Sequence, residues 1–212
     1  MIYERGKLRF FLAKFADLMT SLFFIMLVLY ILTYLKLTNQ QRATEQQLRE
    51  IKRIQEAVKA LPAEYFIYDP LNQRYILNLN VNFSSNSSNI HDLNKSVLDD
   101  LLEAGKSISS LLKQLNSNNS TVSYLLIVEG NTQRSHDNYL KMPDVGYKLS
   151  YQRSLALVNY WQNNGLDFKE ISNCELMIVG SGYFGKARDS NEEENRKFTI
   201  QITPKIGEIK LE

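Results

Sequence analysis

From Leu18 to Leu35 the chain carries no charged residue, and the run LMTSLFFIMLVLYILTYL is built mostly of Leu, Ile, Phe, Met, Val and Tyr. At about 1.5 Å per residue, a helix over that run covers roughly 27 Å, and the apolar turn before Asp17 carries it past the usual hydrocarbon thickness. A transmembrane helix is therefore expected, with Tyr30 and Tyr34 suited to the far interface. Arg5, Lys7, Arg9 and Lys14 look like the charged start of a signal peptide, but the apolar run is too long and no small-x-small site follows, so an uncleaved anchor is expected. Basic residues flank both ends of the span, Lys36, Arg42, Arg49, Lys52 and Arg53 beyond it, so charge alone leaves the orientation open.

Asp17 stands at the entrance to this run, between Ala16 and Leu18. An ionised carboxylate at mid-helix costs about 2.5 to 3.5 kcal/mol on insertion scales, so its position needs a reason. One reason is interfacial: an aspartate near the helix start can pair with Lys14 one turn earlier and is favoured by the helix dipole. The other is functional. Thr20, Ser21 and Phe24 follow Asp17 at spacings of three, four and seven, making one weakly polar stripe that would face protein or water. A carboxyl kept from bulk water in such a place is suited to taking up and releasing protons.

The remaining composition narrows the possibilities. Twenty-five basic against 23 acidic residues give a net charge of +2 without a basic stripe, so no nucleic-acid partner is implied. The lone Cys174 excludes an intramolecular disulfide and a multi-cysteine zinc site, and His91 and His136 read as surface or loop residues rather than metal ligands. No nucleophile, base and orienter can be assembled from the motifs present, so an enzyme is not expected and no cofactor is implied.

Residues 38–62 form a connector rich in Gln, Glu, Arg, Lys and Ala, with apolar residues at Leu48, Ile51, Ile54, Val58 and Leu61. That spacing predicts a helix with one apolar seam, ended near Pro62. The seam can pair with a second copy as a short coiled coil or pack on the chain's own globular domain. From Tyr65 onward strand and helix signals alternate. The pattern predicts a strand, a turn at Asp69 and Pro70, and a second strand; then a Ser/Asn loop and a helix at 93–115. A strand at 122–129, a helix at 149–163 and strands at 175–180 and 197–203 complete it. The fold class expected is α+β: a transmembrane helix, a connector helix, and a mixed sheet with helices on one face. The domains expected are 1–37, 38–62 and 63–212.

FADLMTSLFFIMLVLY is similar to the transmembrane helix of the flagellar stator B subunit, MotB, in which an aromatic residue, an alanine and the proton-accepting aspartate open the span. The resemblance implies that Asp17 binds the coupling proton beside Thr20 and Ser21. It also implies that two copies of this chain stand inside a pentamer of a multi-span, MotA-like A subunit, which cyclic protonation turns. The connector is shorter than in a flagellar stator, and in this the chain resembles the B subunit of the Zorya anti-phage defence system.

Over residues 81–203 the chain resembles the OmpA C-terminal-like, peptidoglycan-binding domain. NFSSNSSNI looks like its opening strand and Ser-rich turn, LIVEGNTQ lies where a Gly-His-Thr-Asp run is usual, and LSYQRSLALVNYW resembles its Leu-Ser-x-x-Arg-Ala helix start. IVGSG and ENRKFTI resemble its Gly-x-Gly and terminal strands. The resemblance implies a periplasmic domain that grips the diaminopimelate-type zwitterion of a wall peptide, with Asn131, Thr132, Gln133 and Arg153 at the site, in a bacterial inner-membrane protein whose N-terminus is cytoplasmic. Arg153, in the first turn of the expected helix, suits the ligand carboxylate, helped by the free amides of that turn, unless it is salt-bridged within the fold. The family's acid falls on Gln133, so Glu129, Asp137 or Asp144 would have to receive the ammonium. Asn195 and Arg196 read as fold-maintaining. Leu157, Tyr160 and Trp161 read as core, and Gly180 and Gly182 as turn residues.

Overall fold

The computed structural model describes residues 2–72, 74–79, 81, 83–118, 123–134, 140–186 and 188–205. Helix α1, Ile2–Lys59, is one uninterrupted element, so the expected span and connector are not separate helices. No proline or glycine lies between Leu18 and Pro62 to break the hydrogen-bond ladder. The helix closes with Ala60 and Leu61 donating to Ala57 and Val58, a tightened last turn, just before Pro62. The chain divides into two compact units, the second beginning at Glu50.

In the first unit the apolar side chains point outward. Described residues of α1 include one stretch long and apolar enough, by length and composition, to cross a membrane. Leu22, Phe24, Leu27 and Ile31 are all exposed.

The second unit is a five-stranded sheet in the order β1-β2-β5-β3-β4, with β1 Phe66–Asp69, β2 Arg74–Leu77, β3 Tyr124–Gly130, β4 Cys174–Gly180 and β5 Phe198–Pro204. β3 and β4 are parallel and the other pairs antiparallel. The parallel pair needs a crossover, supplied by α3, Pro143–Asn163, which packs on both strands. Helix α2, Lys95–Asn118, precedes β3.

Strict alternation along β3 buries Tyr124, Leu126, Val128 and Gly130 and leaves Leu125, Ile127 and Glu129 half-buried, so one sheet face carries the core. Leu101, Ile108 and Leu112 of α2 and Leu157, Val158 and Trp161 of α3 fill that core. Trp161 is fully buried with its indole N–H donating to the Leu101 carbonyl at 2.7 Å. The fold class is thus the α+β, mixed-sheet arrangement expected.

One open alternative is resolved and two elements depart from the sequence reading. First, the connector seam resolves toward intramolecular packing, because Ile54, Val58 and Leu61 are buried in the sheet's own core while Leu48 is exposed. Second, the expected opening strand at NFSS is not formed by the described residues: Val81 and Phe83 are buried but belong to none of the five strands, and Asn82 lies outside the described residues. Arginine side chains occupy this stretch instead of a β partner, Arg196 donating to the Phe83 carbonyl and Arg153 to that of Ser87. Third, α3 starts at Pro143 rather than 149, since a proline at the first helical position lacks only an N–H that would be unpaired anyway.

Candidate functional site

The hairpin and the two glycine-bearing strand ends set the geometry. Asp69 organises the β1–β2 turn by accepting from the Leu71 and Asn72 amides and from the Asn72 side chain, and the last of these does most to hold its carboxyl below the ordinary aspartate range. Gly130 and Gly180 lie side by side in register at the ends of β3 and β4. A Cβ on either would strike α3, at the Ser150 carbonyl for Gly130 and the Tyr151 amide for Gly180. The absence of side chains there lets α3 descend onto the sheet.

Ser150 and Ser154 fasten the helix. The Ser150 hydroxyl accepts from the Gly182 amide at 2.9 Å and donates to the Tyr147 carbonyl, while Ser154 donates to the Val179 carbonyl at 2.9 Å. Gly182 takes a left-handed φ of 57°, which a residue with a side chain resists. This is the physical content of the Leu-Ser-x-x-Arg and Gly-x-Gly patterns: they fix the face of α3 on which Arg153 sits.

Arg153 is 4% exposed. Its Nε donates to the Ser87 carbonyl at 3.0 Å and its guanidinium lies 4.8 Å from the centre of the Phe83 ring. Burial, and then the positive charge of Arg196, bring its pKa down to about 10, so it stays cationic at neutral pH. It is not salt-bridged: among the described residues no acid pairs with it. Nor is it in a first helical turn, because α3 begins at Pro143 and the amides beside Arg153 are spent on the helix ladder. The assistance expected from free amides is therefore lost.

Gln133 and Arg153 are joined through Arg196. Arg196 donates from Nε to Gln133 Oε1 at 2.8 Å and again from Nη2 to the same oxygen. Arg196 thus links the residue in the family acid's position to Phe83, the ring beneath Arg153. Sequence reasoning gave Arg196 only a fold-maintaining part; its place beside Asn195 in the terminal motif was the available signal. Asn195 is fully buried and ties together the loop at 189–195, accepting from the Asp189 amide at 2.7 Å and donating to the carbonyls of Asp189 and Asn191.

Asn131 and Thr132 are turned inward. Asn131 accepts from the Ser181 hydroxyl at 2.7 Å, and the Thr132 hydroxyl is buried without a hydrogen-bond partner among the described residues. Glu129 cannot stand in for the family acid, since Arg74 and the Thr199 hydroxyl hold its carboxylate on the half-open sheet face. Asp144 is exposed in the first turn of α3, and His136 and Asp137 lie outside the described residues. A groove of about 340 Å³ lined by Ile54, Val58, Tyr75 and Arg74 contains none of the expected site residues.

On α1, Asp17 is exposed and lies immediately before the start of the apolar run. The hydroxyls of Thr20 and Ser21 both turn back along the helix, donating at 2.7 Å to the carbonyls of Ala16 and Asp17. Their polarity is spent on the backbone, leaving the Asp17 carboxyl as the one charged group between Lys14 and Lys36.

No protein-family model matches the chain, and no curated protein matches it. Among solved structures it is similar to the periplasmic domain of Helicobacter pylori MotB, residues 97–256, at 14% identity over 66% of this chain and 89% of that one, with a TM-score of 0.44. A putative MotB-like protein from Desulfovibrio vulgaris shares 15% identity over 81% and 98% of the two chains, with a TM-score of 0.39. The OmpA-like domain of FopA1 from Francisella tularensis shares 17% over 62% and 73%, with a TM-score of 0.38.

Proposed function

We propose that this chain is the B-type subunit of a proton-driven rotary membrane motor, in which Asp17 takes up and releases the coupling ion and the domain from 63 to 212 holds the cell wall. The observation that carries the reading is the placement of Asp17: a lone carboxyl at the mouth of the uncharged run Leu18 to Leu35, whose neighbouring hydroxyls are engaged by the backbone. A carboxylate there needs company, and a multi-span A subunit, five copies around two of this chain, supplies it in the arrangement that the stator resemblance implies. Residues 1–37 are the cytoplasmic tail and span, 38–62 the connector, and the remainder is periplasmic in a bacterial inner membrane. Peptidoglycan is the stationary partner, gripped at Arg153; nucleic acid is not a partner.

The short connector favours a non-flagellar motor of the Zorya anti-phage type. Burial of Ile54, Val58 and Leu61 in the chain's own core removes the coiled-coil argument for a dimer, which leaves the homodimer resting on the stator resemblance. The same observation favours a second reading, a passive tether that holds the domain at the membrane without a motor. Purification from native membranes with a count of subunits separates the two. A multi-span partner in a five-to-two ratio supports the motor, and a solitary chain supports the tether.

A further inference from the structure

The wall-binding reading brings a ligand to Arg153, and the residues around that arginine say which kind of free end the ligand has. Both outer nitrogens of the Arg153 guanidinium are without a hydrogen bond among the described residues, although the side chain is almost wholly buried. A guanidinium so placed is a waiting anion site, because its planar fork matches a carboxylate.

The position of the family acid is where this chain differs. Arginine has no acceptor, so the Gln133 atom facing Arg196 has to be the amide oxygen, and Arg196 contacts it twice. The oxygen is thereby consumed, and what Gln133 has left to offer is its amide nitrogen with two donors. An ammonium requires acceptors, and here it would meet Arg153, Arg196 and an amide N–H₂, all of them donors. Glu129 is committed to Arg74 and Thr199. Glu192 is committed to Arg188 and the Arg134 amide. Asp92 is committed to Ser87 and Asn89. Among the described residues, the charged group that bears on Arg153 is a second cation, Arg196, and the Tyr183 phenol acts in the favourable sense.

We infer that the Arg153–Gln133–Arg196 cluster, whose three side chains offer donors only, selects a wall-peptide carboxylate lacking a free neighbouring ammonium, the amine being acylated or absent, rather than a zwitterionic end. The amine is disfavoured by the like charge of two guanidiniums, and the three side chains of the cluster offer it donors only. Replacing Gln133 by glutamate supplies both missing elements, since one carboxylate oxygen can remain with Arg196 while the other accepts from the amine.

This inference rests on wall binding through Arg153, and the test keeps the two apart. The full-length protein in detergent is titrated calorimetrically with three wall-type tripeptides ending in diaminopimelate. Their free ends differ: one zwitterionic, one with the amine acetylated, one with the carboxylate converted to carboxamide. The acetylated peptide is expected to bind at least as tightly as the zwitterion, and the carboxamide roughly tenfold or more weakly. Gln133→Glu is expected to reverse the order, favouring the zwitterion by about tenfold. Tighter binding of the zwitterion by the unaltered protein overturns the inference and leaves wall anchoring standing. Failure of all three peptides to bind overturns both.

Discussion

The helix of the first unit and the sheet of the second use the same residue types in opposite senses. Leu27 is 40% exposed while Leu126 is fully buried, and the contrast repeats for every large apolar residue between Leu18 and Leu35 against the core of α2, α3 and β3. Hydroxyls are inverted too. Thr20, Ser21 and Thr33 donate to the carbonyl four residues back within α1, whereas Ser150 and Ser154 reach across to Gly182 and Val179. The sheet domain thus hides its apolar side chains within itself, whereas residues 18–35 of α1 leave theirs uncovered, as suits an apolar surrounding. In lipid a hydroxyl must find its partner on its own helix, while in a core it can join two elements.

The comparison can be broken first at its apolar centres. Leu126→Ala in the sheet is expected to cost about 2–5 kcal/mol, read by denaturation in detergent with Trp161 fluorescence as reporter, whereas Leu27→Ala leaves that transition unmoved. Equal losses at both would mean that Leu27 is packed as a core residue. Next in size is a charge: Leu27→Arg is expected to cost about 2.5–3.5 kcal/mol of membrane insertion, measured as the inserted fraction. The same change at the exposed turn residue Leu71 stays within about 0.5 kcal/mol of stability.

The hydroxyls sharpen the contrast further. Ser150→Ala leaves the Gly182 amide unpaired and is expected to destabilise the domain by about 1–3 kcal/mol, while Ser21→Ala removes only a local bond and leaves domain stability unaltered. The smallest effect is the acid limit of the β1–β2 turn, where Asp69→Ala is expected to cost about 1 kcal/mol. Because hydrogen bonding holds the Asp69 carboxyl below its unfolded value, its contribution is complete above the ordinary aspartate range. It fades as pH falls through the lower folded value, so wild type and Asp69→Ala should converge in strongly acidic solution.

Elements governed by local pattern were legible in the sequence. Alternation gave β3, β4 and β5 to within a residue or two, and the uncharged run marked the stretch of α1 long and apolar enough to cross a membrane. Elements decided by distant partners were not. Val81 and Phe83 alternate like a strand yet are buried without one, because guanidiniums from α3 and from the residue before β5 reach the backbone there. α3 opens at Pro143, ahead of the expected start at 149, which moves Arg153 from the first turn into the helix interior. The apolar seam of the connector carries no information about which surface it meets, and only the folded sheet shows Ile54 and Val58 inside. For the site, Arg153 stood out from its motif. The orientation of Gln133 is set by Arg196, 63 residues away, a relation no local spacing reveals.

The central claim is that Asp17 carries protons through a membrane assembly, and Asp17→Asn tests it most directly. The isosteric amide keeps the shape of the helix and removes the titration. With the complex purified at unchanged composition and reconstituted into vesicles, the account predicts that the variant loses proton uptake driven by an imposed pH difference. Proton uptake equal to wild type in an intact Asp17→Asn complex would contradict it.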